Sequence, residues 1–200
     1  AKQAGASAAL VVTPYYNKPT QDGLIAHYTA IHDECDMPII IYNIPGRSVI
    51  DMSVETMAKL ARLPNIVGVK DATSDLARPL ETRIACGTDF CQLSGEDGTA
   101  LAYLAAGGHG CISVTANIVP NLLSTMHNAW KQGDIITAQE INKILMPLHD
   151  ALFCETSPGP LKYAASLMGI CSSEARLPIV DIEDSSKVNV KNALKKANLI

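Results

Sequence analysis

The feature that most constrains the fold is a fivefold alternation between short apolar runs and helical stretches. The runs are rich in β-branched residues and lie at residues 9–13, 38–43, 66–70, 90–94 and 111–114. Each run is apolar at successive positions, which is typical of parallel strands buried on both faces. Strand and helix repeated five times predict an α/β domain of βα units. Periodicity alone leaves open whether the sheet is doubly wound or part of a (β/α)8 barrel.

Helical spacing of apolar residues and capping residues predict the intervening helices. Thr20 and Ser53 are the expected N-caps of the first two. Further helices are expected at about residues 76–86, 101–106 and 117–131.

The strand pattern stops after the fifth unit, and three helices are expected at 134–152, 160–169 and 185–197. The sequence therefore predicts two domains, with the βα units at residues 1–132 and a helical domain at residues 133–200.

The composition excludes several classes of protein. The chain is 48% hydrophobic and 18% charged, which is the balance of a folded globular chain and not of a disordered one. Its net charge of −4 argues against nucleic acid or an anionic membrane surface as the main partner, and no run is long enough to span a bilayer. The six cysteines form no C-x-x-C pair, so no metal site is expected, and free thiols in a reducing cytoplasm are favoured.

Lys70 is the residue at a strand end that carries the most chemical information. Alternation along the third strand places Ile66, Gly68 and Lys70 on one face, and Gly68 would leave room for the lysine side chain. Burial disfavours the ammonium form, and a neutral amine is what imine formation with a carbonyl substrate requires. The alternative is a solvated lysine paired with Asp71, and residue type and position alone favour that alternative.

Three further groups lie at strand ends. Tyr42 ends the second strand, where its hydroxyl could move protons near the Lys70 amine, or could simply cap the core. Arg47 follows a Pro-Gly turn and suits a substrate carboxylate, or is a surface arginine. The adjacent Tyr15 and Tyr16 suit an anchor at an interface.

With these residues in place, the chain resembles the dihydrodipicolinate synthase family of pyruvate-dependent class I aldolases over essentially its whole length. The segments that carry the resemblance are Val12-Thr13-Pro14-Tyr15-Tyr16-Asn17, Tyr42-Asn43-Ile44-Pro45-Gly46-Arg47, Gly68-Val69-Lys70-Asp71-Ala72-Thr73, Leu93-Ser94-Gly95-Glu96-Asp97 and Gly107-Gly108-His109-Gly110-Cys111-Ile112-Ser113-Val114.

The resemblance implies a role for each strand-end residue. Lys70 would form a covalent imine with pyruvate, without any other cofactor, and Tyr42 would relay protons beside it. Tyr16 would reach as a second relay tyrosine into the site of a neighbouring subunit. Arg47 would bind the carboxylate of aspartate-4-semialdehyde, the second substrate.

The resemblance also implies roles for three residues beyond this set. Gly95 and Ile112 would line the site through backbone groups. Tyr15 matches a residue of the lysine feedback site in regulated members.

At the level of the fold, the resemblance implies a (β/α)8 TIM barrel of which strands 4–8 are present, followed by a C-terminal helical domain. The first three strands, with the turn that binds the pyruvate carboxylate, would precede Ala1. Full activity is expected to need them.

The implied enzyme is a cytoplasmic homotetramer, a dimer of dimers, that makes 4-hydroxy-tetrahydrodipicolinate for lysine and diaminopimelate synthesis. Two alternatives stay open. One is a keto-acid aldolase similar to N-acetylneuraminate lyase, and the other is a non-catalytic truncated barrel that serves as an assembly module.

Overall fold

The computed structural model describes all residues from 1 to 200, and they form two compact units, Ala1–Ile112 and Ser113–Ile200. No helix combines the length and the apolar character needed to cross a bilayer. The predicted domain boundary between residues 132 and 133 rests on the end of the strand pattern and stays a prediction.

The first unit alternates strands with helices. Its strands are β1 (Ala9–Val12), β2 (Ile39–Asn43), β3 (Ile66–Asp71), β4 (Cys91–Ser94) and β5 (Gly110–Cys111). Its helices are α1 (Gln21–Glu34), α2 (Pro45–Ser48), α3 (Val54–Leu60), α4 (Arg78–Cys86) and α5 (Ala100–Ala105), and a 3-10 turn spans Lys2–Ala4.

The five strands form one sheet in the order β1-β2-β3-β4-β5, and every neighbouring pair is parallel. This confirms the predicted parallel α/β sheet. The fifth strand is shorter than the predicted run at 111–114, because the chain leaves the ladder after the Ile112 N–H donates to the Ser94 carbonyl at 2.9 Å. Ser113 Oγ then accepts from the Ala116 N–H at 2.9 Å, which supports a 3-10 turn at Thr115–Asn117.

Both predicted N-caps are confirmed. Thr20 Oγ1 accepts from the Gly23 N–H, and Ser53 Oγ accepts from the Thr56 N–H, each at 3.2 Å. These bonds satisfy donors that have no partner inside a helix. The short helix α2 was not predicted, since four residues are too few to show helical periodicity.

One face of the sheet packs on helices and forms the core of the first unit. Its buried side chains are Leu24, Tyr28, Ile39, Ile41, Met52, Met57, Leu60, Ile66, Val69 and Phe90. The opposite face is open at β1, where Leu10 is 46% exposed and Val12 is 41% exposed. The expectation that both faces are buried is therefore wrong for β1.

A bulge in β3 corrects the predicted alternation. Ile39 pairs with Ile66, but Ile40 pairs with Gly68, so the ladder skips Val67. The extra residue reverses the phase, and Ile66 lies in the core instead of on the face that carries Lys70.

The second unit is helical, with α6 (Pro120–Lys131), α7 (Ile135–Leu152), α8 (Gly159–Leu167) and α9 (Asp184–Lys196). Its core is built from buried residues of these helices, among them Met126, Leu145, Leu148, Leu152 and Leu194. The three predicted helices of the chain's last third are confirmed to within two residues at each end. The helix predicted from residue 117 begins at Pro120, since a proline suits the first position of a helix.

Candidate functional site

The sheet register brings Tyr42 and Lys70 side by side. Tyr42 lies opposite Lys70 where β2 and β3 end, and the next pair, Asn43 and Asp71, points to the other face. The Lys70 Nζ lies 4.2 Å from the centroid of the Tyr42 ring. This contact places a cation over an aromatic face, where the ring quadrupole attracts it.

Lys70 is half-buried, and no carboxylate lies within ion-pair distance of its amine. Burial lowers its pKa from the usual 10.5, while the nearby Cys111 and Asp97 act in the opposite direction. The alternative pairing with Asp71 does not occur. The Asp71 carboxylate is buried on the opposite face and accepts from the Thr73 N–H at 2.9 Å.

Gly95 provides the space beside the lysine. A Cβ added there would lie 3.0 Å from Lys70 Cε and 2.8 Å from the Ala72 Cβ. The space was predicted at Gly68, but a Cβ at that position would collide with the backbone carbonyl of Cys91 on β4. Gly68 therefore permits the close approach of two strands, and Gly95 leaves room for the lysine side chain.

An open pocket of about 470 Å³ lies against Tyr42, and Lys70 is not one of its lining residues. Its walls are formed by Val12, Tyr15, Tyr42, Ile44, Arg47 and Ser48. Burial raises the pKa of the Tyr42 hydroxyl, and the nearby Arg47 guanidinium lowers it. The pocket thus combines a phenol, a cation and apolar walls at one end of the sheet.

Of the remaining predicted residues, Tyr15 lines this pocket, and Tyr16 and Ile112 do not. Tyr16 projects into solvent with 91% of its surface exposed, and Tyr15, which lines the pocket, is 63% exposed. Ile112 follows β5, is also exposed, and bonds to β4 through its N–H. No group of three or more His, Cys, Asp or Glu side chains is arranged to hold a metal ion.

Sequence reasoning missed a polar cluster behind the site. It joins Asn43 to Asp51 and Arg78, on the face opposite Lys70. Asp51 and Arg78 are 27 residues apart, so no local motif connects them. The only sequence signal is that Asn43 and Asp71 directly follow the two site residues.

A parallel βα sheet with a half-buried lysine and a tyrosine at its strand ends defines an α/β protein suited to the chemistry of carbonyl compounds. The chain belongs to the dihydrodipicolinate synthetase family, whose profile matches residues 1–197.

Curated relatives support this assignment. The 4-hydroxy-tetrahydrodipicolinate synthase of Rhodospirillum centenum is 66% identical over 200 residues, which cover 100% of this chain and 69% of that protein. The synthase of the same name from Acidiphilium cryptum is 60% identical over 200 residues, which cover 100% of this chain and 68% of that protein.

Solved structures agree in fold. The dihydrodipicolinate synthase of Thermotoga maritima superposes with a TM-score of 0.96 at 39% identity, covering 100% of this chain and 69% of that one. The chloride-inhibited dihydrodipicolinate synthase of Acinetobacter baumannii, solved in complex with pyruvate, also superposes with a TM-score of 0.96. The two chains are 43% identical, and the match covers 100% of this chain and 68% of that one.

Proposed function

We propose that this chain carries the imine-forming site of a 4-hydroxy-tetrahydrodipicolinate synthase, a lyase that condenses pyruvate with aspartate-4-semialdehyde. One observation carries the proposal: a half-buried lysine without an ion-pair partner stands at a strand end with its Nζ 4.2 Å from a tyrosine ring centroid. The curated relatives described above share the synthase name, so the alternative of an N-acetylneuraminate lyase-like aldolase is not favoured.

The reaction begins at the Lys70 amine. In its neutral form the amine attacks the keto carbon of pyruvate, water leaves, and an iminium forms. Loss of a methyl proton gives an enamine, whose carbon attacks the aldehyde of the second substrate. The amino group of that substrate then displaces Lys70 and closes the ring. The lysine is thus regenerated, and no cofactor is required.

Each transfer of a proton needs a group that can both accept and donate one. We assign this task to the Tyr42 hydroxyl, because the Tyr42 ring lies against the Lys70 amine and brings a phenol into the same site. Arg47 shares the pocket with Tyr42, and its planar guanidinium suits the carboxylate of the aldehyde substrate. Gly95 and Ile112 complete the lysine side of the site through their backbone groups.

The sheet itself supports placement of the chain as strands 4–8 of a (β/α)8 barrel. Its five strands are parallel and consecutive, and its open face carries the exposed apolar side chains of Leu10 and Val12. Strand β1 pairs only with β2, so it has a free edge that a preceding strand would occupy. The full barrel would then enclose Lys70.

The exposed Tyr15 and Tyr16 support assembly into a homo-oligomer, in which Tyr16 reaches a neighbouring site and Tyr15 lies at a lysine-sensitive interface. Large exposed aromatic side chains are enriched where proteins associate. The proposed setting is the cytoplasm, as a dimer of dimers. Light scattering of the purified protein tests the assembly, and a monomer at working concentration would contradict it.

The function is tested by trapping the imine. The protein expressed from the complete reading frame is incubated with pyruvate and borohydride, and peptide mass spectrometry locates the reduced adduct. We expect it on Lys70 and not on the exposed Lys59, and we expect Lys70→Arg to abolish it. An unmodified Lys70 at saturating pyruvate would contradict the proposed chemistry and would favour the non-catalytic assembly module.

A further inference from the structure

The polar cluster behind the site is a continuous hydrogen-bonded unit. Arg78 Nη1 and Nη2 donate to the two Asp51 carboxylate oxygens at 2.6 and 3.1 Å. Asn43 Nδ2 donates to Asp51 Oδ1 at 2.7 Å, and Asn43 Oδ1 accepts from the Met52 N–H at 3.1 Å. We call Arg78, Asp51 and Asn43 the clamp. Together they tie the end of β2 to the start of α4 and to the segment before α3.

The clamp approaches the reacting groups through Asn43 at the end of β2. Asn43 directly follows Tyr42, and its register partner Asp71 directly follows Lys70. The Asn43 carbonyl also accepts from the Ala72 N–H at 2.9 Å, which continues the ladder past the strand ends. Because successive side chains point to opposite faces, a fixed Asn43 also fixes the direction of the Tyr42 side chain.

The two charges of the clamp differ in burial, because the Asp51 side chain is 47% exposed and the Arg78 side chain is largely shielded. The Arg78 side chain is 14% exposed. Burial acts to lower the pKa of Arg78, but the Asp51 carboxylate and the buried Asp71 act in the opposite direction, and the pKa lies above its usual value. Desolvating an arginine is costly, and a well-packed apolar side chain can often match such a pair in stability. What the ion pair adds is a fixed geometry, because the planar guanidinium of an arginine holds a carboxylate in one orientation through two hydrogen bonds.

We propose that Arg78 and Asp51 are positioning residues for the Lys70–Tyr42 pair, acting through Asn43 at the end of β2. The inference rests on the proposed imine chemistry and deepens it. The clamp touches neither substrate nor the reacting amine. It holds the ends of β2 and β3 in the register that keeps the Tyr42 ring against the Lys70 Nζ.

The test compares variants of the protein expressed from its complete reading frame. Asp51→Asn keeps the shape of the side chain and removes its charge, and Arg78→Lys keeps the charge and removes the fork. The control is Asp36→Asn, which makes the same chemical change in an exposed ion pair of the first unit, with Lys2. The measurements are kcat, the KM for pyruvate and borohydride trapping.

Trapping separates positioning from folding. Its end point counts the competent sites, and its rate per site reports how well the amine is placed. For both clamp variants we expect a rate per site and a kcat reduced about ten- to a hundredfold, as for a misplacement of about 1 Å. The KM for pyruvate should change much less, and Asp36→Asn should behave as the wild type.

Several results would overturn the inference. A wild-type rate per site in both variants would show that the clamp does not position the Lys70–Tyr42 pair. A loss confined to the end point, or loss of folding in both variants, would assign the clamp to stability alone. If the wild type itself forms no adduct on Lys70, the proposed function fails instead.

Discussion

Replacing Gly95 with alanine tests the packing around the lysine most directly. The added Cβ would lie 2.8 Å from the Ala72 Cβ and 3.0 Å from Lys70 Cε, whereas ordinary contacts begin near 3.4 Å. The two contacts must therefore open by about 0.6 and 0.4 Å. The Asp71 carbonyl, at 3.2 Å, limits movement on a third side. The lysine stem is the only flexible neighbour, so it yields first.

The expected result is a large loss of reactivity with a smaller loss of stability. Overpacking of this kind costs about 1–3 kcal/mol in the free energy of unfolding. Displacing the amine by part of an ångström reduces the rate of imine formation by about ten- to a hundredfold. Urea denaturation measures the first quantity, and borohydride trapping with pyruvate measures the second.

Gly46→Ala is the matched control, because a Cβ at Gly46 meets nothing within 4 Å. It should leave both the unfolding midpoint and the trapping rate close to those of the wild type. If Gly95→Ala traps pyruvate at the wild-type rate, the lysine does not need the space at Gly95, and the packing argument is refuted.

Three other changes have defined outcomes. Because burial lowers the pKa of Lys70, its trapping rate should rise with pH through an inflection below 10.5, and an inflection at or above that value would contradict the desolvation. Gly68→Ala would force a Cβ against the Cys91 carbonyl and should lower the free energy of unfolding by about 3 kcal/mol, as measured by urea denaturation. An unfolding midpoint equal to that of the wild type would contradict this prediction. Ser53→Ala removes the acceptor of the Thr56 N–H and should cost about 1 kcal/mol in the same assay, and no measurable change would show that water replaces the cap.

The sequence was sufficient to predict those parts of the fold that depend on local pattern. Apolar runs predicted the parallel strands, and Thr20 and Ser53 predicted two helix starts, because capping is a property of three or four neighbouring residues. The approach of Tyr42 to Lys70 was also predictable. Parallel strands end at one edge of the sheet, so residues at their carboxyl ends meet.

The sequence predictions are wrong or incomplete where a strand departs from regular alternation, and where the fold joins segments that are far apart in the chain. The skipped Val67 reversed the alternation that had placed Ile66 beside Lys70, and no residue type marks such a bulge in advance. The link between Asp51 and Arg78 crosses 27 residues and has no periodic signature. The roles of the site residues stay predictions, since the structure places side chains and does not show their chemistry.

In the proposed imine cycle, the contacts of Lys70 would allow one amine to serve two opposite steps. Attack on a ketone needs the neutral amine, whereas loss of water proceeds through a cationic iminium. Burial favours the neutral form, and the Tyr42 ring, through cation–π attraction of about 0.5–2 kcal/mol, favours the charged one. A carboxylate partner would hold the ammonium too firmly, and a wholly apolar pocket would oppose the iminium. The face of the Tyr42 ring attracts the cation less strongly than a carboxylate would and more strongly than a wholly apolar pocket would. In the proposed arrangement, the clamp behind Asn43 keeps that ring in place.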